Sequence, residues 1–186
     1  SGKTEFWLEV LLNASLFYGW KHLLYVPDIG DKNEILAILI HKVTGKTFDK
    51  RFVNSNYISE QEVDRNLDWV LHHFRILTKV DLKAKITPYE FYDLAAKINA
   101  ETEGGIQTAT IDSWKDMKHG IGLDREGFAR DDKYLEDVLS YRNAMAELHG
   151  MHFGTIIHPT KTEADKDGHR KPPTPYDLKG GSEWYN

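Results

Sequence analysis

Cysteine is missing from all 186 residues. That excludes disulfides, cysteine-bound zinc, iron–sulfur clusters and thiol nucleophiles together, and it fits a reducing compartment. Long apolar runs are missing too. None approaches the roughly 18 residues that a membrane span needs, and no secretory leader opens the chain. The expected location is therefore cytoplasmic. An excess of positive charge is also absent: 24 Lys and Arg stand against 29 Asp and Glu, a net charge of −5. A general nucleic-acid coat is excluded, so any contact with nucleic acid must use a local patch. What remains is ordinary for a globular domain, 40% hydrophobic and 28% charged. A chain of this length is expected to form one domain, 1–186, and to bury roughly two thirds of its unfolded surface. Neither end reads as finished. The first residues are Ser1-Gly2-Lys3-Thr4, and the last are Trp184-Tyr185-Asn186, without a cap or polar tail.

Periodicity then gives the elements. Apolar positions 7, 8, 11, 12 and 16 predict a helix over 5–18, stopped by Gly19. His22 to Val26 reads as a buried strand ended by Pro27. Ile35, Leu36, Ile38, Leu39 and Val43 predict a second helix, closed by Gly45. Ser59 with Glu62 three residues on is a capping box that opens a third, and Phe74 to Leu77 is a strand candidate. Thr87-Pro88 with Glu90 opens a fourth helix, proline at its first position. Ile106 to Ile111 is rich in β-branched residues and reads as a strand. A long helix is expected from about Asp132 to His149, with Leu135, Val138, Leu139, Ala146 and Leu148 toward the core. Phe153 to Ile157 is a fourth strand, and 160–175 reads as a charged loop.

Strands alternating with helices predict an α/β fold, a mostly parallel sheet covered by helices on both faces. Ligands of such sheets sit at the carboxyl ends of the strands. The residues just past three predicted strands are Pro27-Asp28, Asp112-Ser113 and His158-Pro159. Two acids and a histidine thus share one edge. Gly2-Lys3-Thr4 leading into a helix matches the end of a phosphate-binding loop, in which backbone N–H groups hold phosphates, Lys reaches the β- and γ-phosphates, and Thr ligates Mg²⁺. An acid after an apolar strand, as at Asp112, is the pattern that holds a Mg²⁺-bound water. Asp28 is placed to orient or deprotonate an attacking water, although Pro27-Asp28-Ile29-Gly30 is also good turn chemistry. His158 is a candidate sensor of a γ-phosphate. His72-His73 and His149 with His152 lack companion ligands and read as structural. Lys161, Lys166, Arg170 and Lys171 lie in a segment that also holds Glu163, Asp165 and Asp167. It is mixed in sign, and it offers either a few backbone contacts to a nucleic acid or a solvated surface.

The ordered set of segments resembles a known family. The segments are Ser1 to Thr4; Gly19-Trp20-Lys21 entering a strand that ends Val26-Pro27-Asp28; Thr44-Gly45-Lys46-Thr47-Phe48; Ile111-Asp112-Ser113-Trp114; His158-Pro159-Thr160-Lys161; and Pro172 through Tyr176-Asp177-Leu178 to Asn186. Together they are similar to the ATPase domain of hexameric replicative helicases of the DnaB type, in particular the phage and Twinkle-like primase–helicase branch. The resemblance implies a RecA-like P-loop NTPase core, incomplete at both ends, with ATP and Mg²⁺ as cofactors, a homo-oligomeric ring (a hexamer), and movement on single-stranded DNA. It implies that Gly2, Lys3 and Thr4 bind nucleotide, that Thr4 and Asp112 serve the metal, that His158 couples the γ-phosphate to a DNA loop, and that Lys161, Lys166, Arg170 and Lys171 touch DNA. Asp28 falls where the family carries a glutamate, one methylene longer, so Asp31 or Glu34 are alternatives for the base. The family's glycine-rich loop start and its arginine finger would lie outside 1–186, so hydrolysis is expected of the parent protein and not of this segment alone. Two other readings stand beside the motor. One is a RecA-like ATPase that does not unwind; the other is an inactive module kept for subunit or partner contacts.

Overall fold

A computed structural model describes residues 2–28, 31–52, 56–121, 131–158, 174, 177–178 and 184. The described elements alternate as the periodicity requires: α1 (Gly2–Tyr18), β1 (His22–Tyr25), α2 (Asn33–Thr44), α3 (Glu60–His73), β2 (Phe74–Leu77), α4 (Lys79–Leu82), α5 (Pro88–Glu101), β3 (Thr108–Asp112), α6 (Asp131–His149) and β4 (His152–Ile156). The four strands form one sheet in the order β2-β1-β3-β4. Every pairing is parallel; Leu24 lies opposite both Ile76 and Thr110, and Ile111 lies opposite Thr155. All four strands therefore present their carboxyl ends along one edge.

Both faces are covered, as the α/β reading expects. On one, Leu23 and Tyr25 of β1 and Ala109 and Ile111 of β3 pack with Phe91, Tyr92, Ala95 and Ile98 of α5 and Leu135 and Val138 of α6. On the other, Leu24 and Val26 meet Leu8, Leu11 and Leu12 of α1, Ile35, Leu36, Leu39 and Ile40 of α2, and Phe74 and Ile76 of β2. The period of two along β1 sends alternate residues to opposite cores. Each large apolar side chain so buried contributes about 1.5–3 kcal/mol. Among the described residues no helix is long and apolar enough to cross a membrane.

Local chemistry sets the boundaries. Capping boxes at Ser59 with Glu62 and at Thr87 with Glu90 start α3 and α5, and Gly45 at φ 66° ends α2. Two expectations are corrected. Leu148, expected toward the core, is 75% exposed, because α6 has a wider apolar arc than the sheet can cover. β3 begins at Thr108, not Ile106, because a side chain takes the Ile106 backbone: its N–H donates to Asn99 Oδ1 at 2.7 Å. The four residues of α4, with a capping box of Thr78 and Asp81, are too few for periodicity to reveal.

Candidate functional site

The carboxyl edge of the sheet brings the start of α1 against the end of β3. Thr4 Oγ1 donates to Asp112 Oδ2 at 2.6 Å, across 108 positions of sequence. Both residues are half-buried, whereas Gly2 and Lys3 are exposed. A hydroxyl given to a carboxylate at this distance is a strong, charge-assisted bond. One helical turn further on, Trp7 Nε1 donates to Thr110 Oγ1 at 3.0 Å. Thr110 and Asp112 are alternate residues of β3 and share a face, so α1 is fastened to one side of that strand at two points.

The second point needs Gly154 of β4. A Cβ there would stand 2.8 Å from Thr110 Oγ1 and 2.9 Å from Trp7 Cζ2. Only glycine lets the indole lie on the strand. Past β3, Ser113 Oγ donates to Asp116 Oδ2 at 2.5 Å and closes the turn. The Trp114 ring there meets the Trp184 ring edge-on, with centroids 5.2 Å apart. Trp114 and Trp184, one from each of two segments that carried the resemblance, thus meet.

The other sequence candidates share this edge without joining the pair. Asp28 is exposed in the turn after buried Pro27, and His158 is half-buried two residues past β4. Among the described residues neither hydrogen-bonds to Thr4 or Asp112. Asp31, the alternative base, is engaged elsewhere: its carboxylate accepts from Asn33 N–H at 2.9 Å and Asn33 Nδ2 at 3.1 Å. Glu34 is exposed on the first turn of α2. Lys161, Lys166, Arg170 and Lys171 lie outside the described residues.

One hydroxyl and one carboxylate are hard oxygen donors, which is what Mg²⁺ prefers; that ion is commonly held by one or two carboxylates together with substrate phosphates. Among the described residues no group of three or more acidic or histidine side chains could hold a metal without such help. Thr4 and Asp112 therefore fit the ion, and their hydrogen bond keeps both donors in place.

The sequence reading missed three positioning residues, Trp7, Thr110 and Gly154. Thr110, two before Asp112, was the available signal. It also missed a polar network at the opposite edge. His22 is wholly buried; its Nδ1 lies 2.8 Å from Thr108 Oγ1 and its Nε2 lies 3.0 Å from Ser15 Oγ. Ser15 gives its proton to a backbone carbonyl, that of Trp20 at 3.0 Å. It therefore accepts from Nε2–H, and Nδ1 accepts from Thr108. Burial pushes the imidazole down to about 4, so it is neutral at physiological pH and fastens the last turn of α1 to the sheet.

No protein-family profile matches the sequence, and no curated protein does. Solved structures do. A solved ATPase domain is similar with a TM-score of 0.68 and 16% identity, over 98% of this chain and 61% of that one. The structure of a DnaB-like replicative helicase, described with its interactions with primase, is similar with a TM-score of 0.67 and 17% identity, over 98% of this chain and 42% of that one. The chain spans less than two thirds of either. With a parallel sheet of this order and helices on both faces, the chain has the fold of the ATPase domains of DnaB-like replicative helicases.

Proposed function

We propose that this chain is the nucleotide-hydrolysing core of a ring-forming motor that uses ATP to move on single-stranded DNA in replication. The observation that carries the reading is the Thr4–Asp112 bond of 2.6 Å at the carboxyl edge of a parallel sheet. A threonine opening a helix and an acid ending a strand are the two protein groups that a nucleotide-bound Mg²⁺ needs. Lys3 stands beside them on the first turn of α1, where unpaired N–H groups and the helix dipole already favour an anion. Mg²⁺ bound with ATP would offset charge on the β- and γ-phosphates.

The chain's own residues then have distinct tasks. Lys3 binds the terminal phosphates. Thr4 and Asp112 hold the metal and are kept in register by Trp7 on Gly154. Asp28, exposed in its turn, orients the attacking water or takes its proton. His158 reports the γ-phosphate to the segment beyond it, where Lys161, Lys166, Arg170 and Lys171 meet the DNA backbone. The reading extends to an oligomeric ring in the parent protein. A second reading, nucleotide binding without efficient turnover, is favoured by Asp28, which is exposed, one methylene shorter than glutamate, and not hydrogen-bonded to the pair.

The test is a threonine series in the parent protein. Thr4→Ser keeps the hydroxyl, and its turnover is expected within a few-fold of wild type. Thr4→Val removes it and is expected to lower Mg²⁺-dependent turnover by about 10² or more. Equal turnover in the two variants would sink the metal role. Asp28→Glu raising turnover would identify the short side chain as the limit. A strand-displacement assay separates a helicase from an ATPase that does not unwind.

A further inference from the structure

A further cavity lies away from Thr4 and Asp112. It is a groove of about 380 Å³ that runs along β2, the outer strand of the sheet. Lys21 and Thr102 stand toward the start of the strand, and Lys32 and Asp81 toward its end.

Two features of the groove point to a ligand. The first is backbone. Leu77 C=O accepts from Val26 N–H at 2.9 Å, so Leu77 faces β1. Alternation along a strand then turns Ile76 N–H and C=O outward, and among the described residues neither has a partner. The second is charge. Lys21, Lys32 and Arg75 line the groove against one carboxylate, Asp81, in a chain whose net charge is −5. Asp81 is occupied: it accepts from Thr78 N–H at 2.8 Å and Thr78 Oγ1 at 2.9 Å. The Lys21 ammonium donates to the Glu103 backbone carbonyl at 2.7 Å, which leaves its charge uncancelled. Arg75 is exposed and makes no ion pair among the described residues.

We propose that β2 is a docking edge for an extended acidic segment of another protein, which adds as a strand to the sheet. Main-chain pairing with Ile76 supplies the register, and carboxylates on the added strand meet Arg75, Lys21 and Lys32. Among the described residues, no strand of a second copy supplies such a segment. The copy's other outer strand, β4, reads His152-Phe153-Gly154-Thr155-Ile156 and carries no acid, and its inner strands are paired on both sides. A nucleic-acid strand would supply anions but no complementary ladder for Ile76.

The probe is a fluorescein-labelled hexapeptide of alternating Glu and Val, titrated by anisotropy, beside a Lys/Val peptide and a labelled oligo-dT. The acidic peptide is expected to bind saturably, to weaken as salt rises, and to protect the Ile76 amide from hydrogen exchange. Arg75→Glu is expected to weaken it by roughly tenfold or more. Arg75→Ala, which tests the same charge with less risk to the strand, should weaken it less. Lys3→Ala should leave it unchanged, which separates this edge from the nucleotide site. The proposal is overturned by no saturable binding, by equal binding of the Lys/Val peptide, by an unprotected Ile76 amide, or by insensitivity to both Arg75 variants. It is equally overturned if oligo-dT binds and displaces the acidic peptide, which would make the edge a nucleic-acid surface.

Discussion

Acid should loosen this fold through one side chain. His22 is wholly buried between Ser15 and Thr108. Burial lowers its pKa from 6.5 to about 4, assisted by the charge of His73 and opposed by the Leu11 carbonyl. The unfolded chain takes up a proton near 6.5, and the folded chain declines it until about 4. Stability from this group is thus fully present above pH 6.5 and is lost as pH falls toward 4. Each unit of separation is worth about 1.4 kcal/mol, so the whole loss is about 3 kcal/mol, of which about 2 kcal/mol falls between pH 7 and pH 5. Urea unfolding at pH 7 and pH 5 measures it. In His22→Gln the amide still offers a donor and an acceptor but does not titrate. That variant should be less stable at pH 7 and should lose about 2 kcal/mol less on acidification. A wild-type stability that is flat between the two pH values, or a pH slope that persists in His22→Gln, would refute the reasoning.

Other consequences follow from the same geometry. Gly154→Ala places a methyl 2.9 Å from Trp7 and 2.8 Å from Thr110 Oγ1, and it should cost about 1–3 kcal/mol in chemical unfolding. Adding Trp7→Phe should recover part of that cost, and a neutral Gly154→Ala would show that Trp7 does not rest on the strand. In the parent protein, Arg170→Ala or Lys171→Ala should weaken single-strand binding and lower its salt slope by about one charge each. An unchanged slope would place those side chains away from DNA.

Much of the fold could be read before the structure, where local chemistry decides it. Ser59 with Glu62, Thr87-Pro88 with Glu90, and Gly45 after a regular apolar run each settle a helix end within a few residues, and the structure shows them doing so. Phe74 to Leu77 is a short apolar run after a helix, and its bounds match β2. What escaped depends on distant partners. The start of β3 is decided by Asn99 bonding the Ile106 N–H, and no local pattern shows that. Leu148 continues an apolar arc yet faces outward, because periodicity locates an arc without saying how much of it the sheet covers. Thr78 with Asp81 was a legible capping box in a helix too short to notice.

The site divides in the same way. Thr4 and Asp112 could each be proposed from a motif, and the fold brings them to 2.6 Å. Asp28 and His158 follow β1 and β4 at that edge, as their positions suggested, but that Asp28 is exposed and His158 half-buried comes only from the fold. Trp7, Thr110 and Gly154 carry no motif. Their role appears only when a helix is laid on a strand and the indole needs room.

The most direct test of the motor reading is ATP turnover by the parent protein with Lys3→Ala, measured with Mg²⁺ and single-stranded DNA beside a thermal melt. Lys3 is exposed, so the account predicts an unchanged melting temperature with turnover abolished, because the substitution removes charge only where the phosphates lie. Turnover equal to wild type in a folded Lys3→Ala protein would contradict it.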